Sequence, residues 1–281
     1  MSNATSILSR FIYIGLLTFI YSQNCYGDTG WADESMDRDE KLYQGTGAYR
    51  NGDYVNAVKI FLDGAERGDP RAMDALGSMY AGGAGVEQDF KKAYEWLNKA
   101  AMNNRWDAQY KIGLMNEMGM GVTQNYKKAL LLYNKLVHIG HPAAQYRLGL
   151  LYARGKGIEQ NNIQAYAWLV FAAHYYRHVI ALEEKGGYAS GQEQKGISET
   201  EQIVSELATV VYPITRVFAN IHLGEITEEL KRIRSEMTSG QLEETKRLAL
   251  QYRRKYQLAK FKDKLLPSKD DNLYMTEIFN E

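Results

Sequence analysis

The chain has 281 residues, and its 34 Lys and Arg balance 34 Asp and Glu to a formal net charge of zero. That balance, at 24% charged residues, excludes a disordered polyelectrolyte and a nucleic-acid binder working through bulk positive charge. Only 4 Pro beside 25 Gly, and a single Cys, Cys25, exclude a Pro-rich fibre, an intramolecular disulfide framework and a Cys-cluster zinc site.

Residues 1–27 read as a secretory signal. Arg10 is the only charge before Asp28, and the apolar run Phe11 to Tyr21 follows it. Such a run rises about 16 Å as a helix, short of a hydrocarbon core of about 30 Å, which suits a cleaved signal better than a membrane span. Cys25-Tyr26-Gly27 puts small residues at the cleavage positions before Asp28. Cleavage near Gly27 gives a periplasmic or secreted chain with no Cys and no stable membrane span. The alternative is a retained N-terminus acting as an anchor. Residues 28–40 are expected to be a linker.

An internal period of 36 residues comes next. Ala72-x3-Leu76-Gly77-x2-Tyr80 recurs as Ala108-x3-Ile112-Gly113-x2-Asn116 and as Ala144-x3-Leu148-Gly149-x2-Tyr152. Gly83-x-Gly85-Val86 matches Gly119-x-Gly121-Val122 and Gly155-x-Gly157-Ile158. Asp89, Asn125 and Asn161 align, as do Ala93, Ala129 and Ala165, and Trp96, Leu132 and Trp168. A degraded copy precedes them, aligning Asp53-Tyr54 with Asp89-Phe90 and Gly68 with Asn104.

Each unit reads as two helices. Ala72, Leu76 and Tyr80 share one stripe of the first. The glycine inside that helix costs about 1 kcal/mol against Ala, so its recurrence implies a partner helix too close for a Cβ. Gly-x-Gly ends the first helix, and Asp89, Asn125 and Asn161 cap the second. Asp69-Pro70 and His141-Pro142 open first helices, with His138 and His141 in structural turn positions.

These residues resemble the Sel1-like repeat, a relative of the tetratricopeptide repeat. The pattern covers 72–173 well and 41–71 loosely, so the repeat array is placed at 41–173. The resemblance implies an all-α fold, a right-handed α/α solenoid of antiparallel helix pairs. It also implies a protein-binding or scaffold role, common among exported bacterial proteins of this type.

After Ala173 the period stops. Residues 174–223 read as an insertion: a continuation of the Trp168 helix to Glu184, a Gly-rich loop at 185–196, and a helix capped near Ser198 and kinked at Pro213. A helical C-terminal cap is expected at 224–266, with helices near 226–237 and 239–264. Thr238 and Gln241 form a capping box for the second. Leu242, Ala249, Tyr252, Tyr256 and Ala259 should face the array, and 267–281 is a tail.

His174 and His178 have the i, i+4 spacing of a metal pair, but two ligands are too few and no Glu follows His174. The Gly-x-Gly elements recur between helices, unlike a dinucleotide loop that follows a strand. No nucleophile triad is supported, and Glu183-Glu184 and Glu228-Glu229 are ordinary adjacent surface carboxylates. No catalytic residue, cofactor or metal is therefore expected.

What remains is the tyrosine surplus, 21 against 8 Phe and 4 Trp. Most of these tyrosines sit at packing positions. Tyr110 and Tyr146, one repeat apart and followed by Lys111 and Arg147, lie on first helices, which the resemblance places along the concave face. Tyr contributes large contact area at low entropy cost, so these four residues are the expected site for a protein or peptide partner. The expected function is an exported, non-enzymatic protein-binding scaffold, with no nucleic-acid partner. Two alternatives are a cell-wall-active or β-lactam-binding protein, weakened by the missing Cys pairs, and a membrane-anchored structural subunit of an envelope complex. Neutral charge is an average: residues 28–70 hold ten acidic and five basic residues, and 231–264 hold four acidic and eleven basic.

Overall fold

The computed structural model describes residues 34–184 and 220–256, and every regular element among them is helical. In chain order these are α1 (Glu34–Arg50), α2 (Tyr54–Glu66), α3 (Pro70–Gly82), α4 (Phe90–Met102), α5 (Trp106–Met118), α6 (Tyr126–Val137), α7 (Pro142–Arg154) and α8 (Asn162–Glu184). Residues 220–236 form α9, and Ser239–Tyr256 form α10. The expected signal at 1–27, the expected Gly-rich loop and kinked helix of the insertion, and the expected tail lie outside the described residues.

Caps written in the sequence set the helix starts. Asp69 accepts from the Arg71 N–H at 2.8 Å, with Pro70 in the first turn of α3. Asp89 accepts from the N–H groups of Lys91 and Lys92, Asn125 from that of Lys128, and Asn161 from that of Gln164. Each such side chain satisfies a donor that the first turn leaves unpaired. His141 does the same for α7, its Nδ1 accepting from Ala144 N–H at 3.2 Å.

The helix ends are equally regular. Gly83, Gly119 and Gly155 close α3, α5 and α7 in the left-handed conformation, with φ near 70°, 71° and 61°. The following loop then returns to its own helix: Asp89, Asn125 and Asn161 donate their N–H to the carbonyls of Tyr80, Asn116 and Tyr152. Gln88 and Gln124 add side-chain bonds to the carbonyls of Ala81 and Glu117, both at 2.8 Å.

The chain divides within α6 into two compact units, Met1–Leu132 and Tyr133–Glu281. In the first, α1 through α5 pack consecutively over a core of Phe61, Leu76, Leu97, Ile112 and small alanines. A Cβ on Gly77 would stand 2.5 Å from Leu97 Cγ, so the glycine is what lets α3 and α4 approach. A Cβ on Gly85 or Gly121 would run into the backbone of Tyr54 or Phe90, the first residue of the preceding second helix. The second glycine of the first two pairs therefore seats one repeat on the one before.

In the second unit, α7 packs on α8, and α8 carries α10. The core is Leu169, Val170, Ala165 and Ala172 with Ile226, Ile233 and Ala249 from the C-terminal helices. Tyr252 stacks on Trp168, ring centroids 4.3 Å apart, and is hydrogen-bonded to Gln164. The Thr238 capping box forms as expected: Gln241 Oε1 accepts from Thr238 N–H at 2.9 Å, and Thr238 Oγ1 from Gln241 N–H at 3.3 Å.

Two boundaries differ from the sequence reading. Helix α1 begins at Glu34, inside the stretch expected to be a linker. Helix α9 is already formed at residue 220, before the expected cap begins.

Candidate functional site

The first helices of the repeats carry the four expected recognition residues, and the structure folds most of them into the protein. Tyr110, Lys111 and Tyr146 are buried, and Arg147 is half-buried. An open row of tyrosines and cations on this face is thus not what the chain builds.

Lys111 reaches back to α3. Its ammonium donates to Asp74 Oδ1 at 2.7 Å and to Ser78 Oγ at 2.9 Å. Both charges are almost fully enclosed, with side chains 7% and 1% exposed. Two buried charges are tolerable only when paired and hydrogen-bonded, and Ser78 supplies the additional bond. Around them α5 is buried without a break from Ala108 to Glu117. Asn116, which replaces the repeat tyrosine, turns inward and donates to Ile112 O at 2.7 Å.

Tyr146 is engaged by α9. Its hydroxyl donates to Glu225 Oε2 at 2.8 Å. The His222 ring lies between two tyrosines, with centroids 5.3 Å from both Tyr146 and Tyr176. His222 Nδ1 is 3.7 Å from the same Glu225 oxygen. The C-terminal segment thus occupies the side chain that an external ligand was expected to meet. Nearby, burial pushes the phenols of Tyr175 and Tyr166 above their ordinary range, opposed at Tyr166 by the Arg234 guanidinium.

Among the described residues no group of three or more His, Cys, Asp and Glu is placed to hold a metal ion. His174 is half-buried, and the side chain of His178 lies outside the described residues. No helix among the described residues is long and apolar enough to cross a membrane. The sequence reading missed one regular feature with a plain signal: Gln88, Gln124 and Gln160 recur every 36 residues, and the first two brace the interhelical loops.

Recurrent helix pairs, glycine-seated stacking and polar side chains used in the fold define a helical repeat protein of the α-solenoid class. In comparison with known families, the Sel1 repeat matches three stretches, residues 70–104, 106–141 and 142–174. Two solved structures are similar. One is a protective antigen present in uropathogenic Escherichia coli strains, displaying an SLR fold, with 25% identity and a TM-score of 0.55. The match covers 79% of this chain and 39% of the antigen, so this chain spans well under half of that protein. The other is a Sel1 repeat protein from Oxalobacter formigenes, with 20% identity and a TM-score of 0.46, covering 85% of this chain and 97% of that one. Comparison with curated proteins gives no match.

Proposed function

We propose that this protein is an exported, non-enzymatic scaffold that binds another protein. The observation that carries the reading is the tandem of three Sel1 repeats, a repeat type that typically mediates protein–protein interaction. Stacked repeats offer extended surface for such contacts. The apolar run before Asp28 supports export, and the described geometry favours scaffolding, since the buried Asp74, Lys111 and Asn116 are spent on helix packing. Recognition at Tyr146 would require α9 to yield its contacts, so a partner is better sought on another face.

The test is affinity capture by the full chain from its native envelope, with fractionation and mass spectrometry of its N-terminus. A stoichiometric protein partner and a chain beginning near Asp28 are expected. A chain that stays cytoplasmic and begins at Met1 would overturn export. Turnover of peptidoglycan or a β-lactam by the purified chain would overturn the non-enzymatic part.

A further inference from the structure

The second helices of two successive repeats carry lysine at matched positions. Lys91 and Lys92 of α4 recur 36 residues later as Lys127 and Lys128 of α6. All four, with Lys99, are exposed. Glu95 is the only carboxylate in α4, and α6 has none. Lys92 has Asp89 at 3.9 Å. Among the described residues no carboxylate lies within ion-pair distance of Lys91, Lys99, Lys127 or Lys128.

Aromatic rings hold several of these ammonium groups instead. Lys128 donates to Tyr94 Oη at 2.7 Å, and its nitrogen lies 5.5 Å from the ring centroid, joining α4 and α6 into one surface. Lys99 stands 4.0 Å over Trp96, and Lys92 stands 5.5 Å from the Tyr80 ring centroid. A cation on a ring face keeps its remaining donors outward and has less freedom to lose when it meets an anion.

Leu131 lies one helical turn beyond Lys127 and Lys128, 72% exposed. Its counterpart one repeat earlier is Glu95. The substitution removes a carboxylate from among the lysines and leaves an apolar side chain there. An apolar anchor inside a charged rim is the arrangement of a protein contact.

We propose that this face of α4 and the start of α6 docks an acidic segment of a partner protein that carries one large apolar side chain. Charge complementarity selects the acidic residues, and Leu131 sets their register. A bilayer would require a broader apolar band to insert. The proposal rests on the protein-binding reading for the existence of a partner, but not on the buried first helices.

The probe is a labelled synthetic peptide of about 15 residues, Glu-rich around one central Leu, titrated against the full chain by fluorescence anisotropy. Binding that weakens with salt is expected. The Lys91→Glu, Lys127→Glu, Lys128→Glu triple variant should lose affinity about tenfold or more. Leu131→Ser should lose about three- to tenfold, and only for the peptide whose centre is Leu rather than Gln. These positions are exposed, and a triple Lys→Gln variant gives the same readout should the charge reversal impair folding. Equal binding by the triple variant, or an equal effect of Leu131→Ser on both peptides, would overturn the proposal. So would stronger competition from phosphatidylglycerol vesicles or single-stranded DNA than from unlabelled peptide. Capture of a native partner by the triple variant at wild-type yield would reject this surface and leave the scaffold reading intact. Failure of capture by the wild-type chain, with peptide binding retained, would reject that reading alone.

Discussion

At the scale of single residues, the enclosed Asp74–Lys111 pair has the largest expected consequence. Removing either partner strands the other charge in a nearly water-free site. Lys111→Ala or Asp74→Ala should cost about 3–5 kcal/mol in urea unfolding, while Asp74→Leu with Lys111→Met should recover most of that. A double variant no better than the singles would show that the pair does not act as a unit. Tyr49 makes a second prediction. Burial, and then the neighbouring Tyr54 hydroxyl, push its phenol up to about 12. The unfolded phenol ionises near 10. Above that value the unfolded chain loses a proton that the folded chain keeps, so stability falls as pH rises from 10 towards 12. Alkaline titration of the unfolding midpoint should show this decline, and Tyr49→Phe should lessen it, leaving the part that Tyr175 and Tyr166 contribute. Neither effect is legible in the sequence. Asp74 and Lys111 stand 37 positions apart, and nothing in their local pattern marks them as partners.

At the scale of elements, the glycines divide by what surrounds them. Gly77 faces Leu97 across the α3–α4 contact, whereas a Cβ on Gly82 meets nothing within 4 Å. Gly77→Ala should therefore destabilise by about 1–3 kcal/mol through overpacking. Gly82→Ala should stabilise by about 0.4–1 kcal/mol, through a less flexible unfolded chain. Thermal unfolding of the two variants would check the opposite signs. Here the sequence was a good guide. The recurrence of a glycine inside a helix announced close packing, and Asp89, Asn125 and Asn161 announced the caps. A cap is a contact between residues two or three positions apart, so its spacing is visible in the chain. The same holds for positive φ: Asn104, aligned with Gly68 and Gly140, adopts it with φ 61°, as the 36-residue frame implies.

At the scale of the whole molecule, both described C-terminal helices pack against the last repeat of the second unit. Helix α10 is fixed to α8 by Tyr252 on Trp168, while α9 reaches Tyr146 and Tyr176 through His222 and Glu225. Tyr252→Ala should cost about 2 kcal/mol from lost apolar burial, and hydrogen exchange should show reduced protection of α10. Undiminished protection there would mean that Leu242 and Ala249 hold the helix unaided. At this scale the expected recognition residues Tyr110, Lys111 and Tyr146 are covered. Tyr146 and Glu225 are 79 residues apart, and repeat periodicity says nothing about a segment outside the repeat.

The amino-acid sequence alone determined the 36-residue frame, the helix pairs, their caps and the glycines that seat one repeat on the next. All of these depend on short-range spacing repeated often enough to be unmistakable. The tertiary structure decided which polar side chains face the interior. Burial of Tyr110, Lys111 and Tyr146 depends on neighbours distant in the chain, and a one-dimensional pattern contains no term for them. The same distinction separates the buried first helices from the exposed lysines around Leu131. Their 36-residue recurrence is written in the sequence, but their shared exposure and the bridge from Lys128 to Tyr94 exist only in the folded chain.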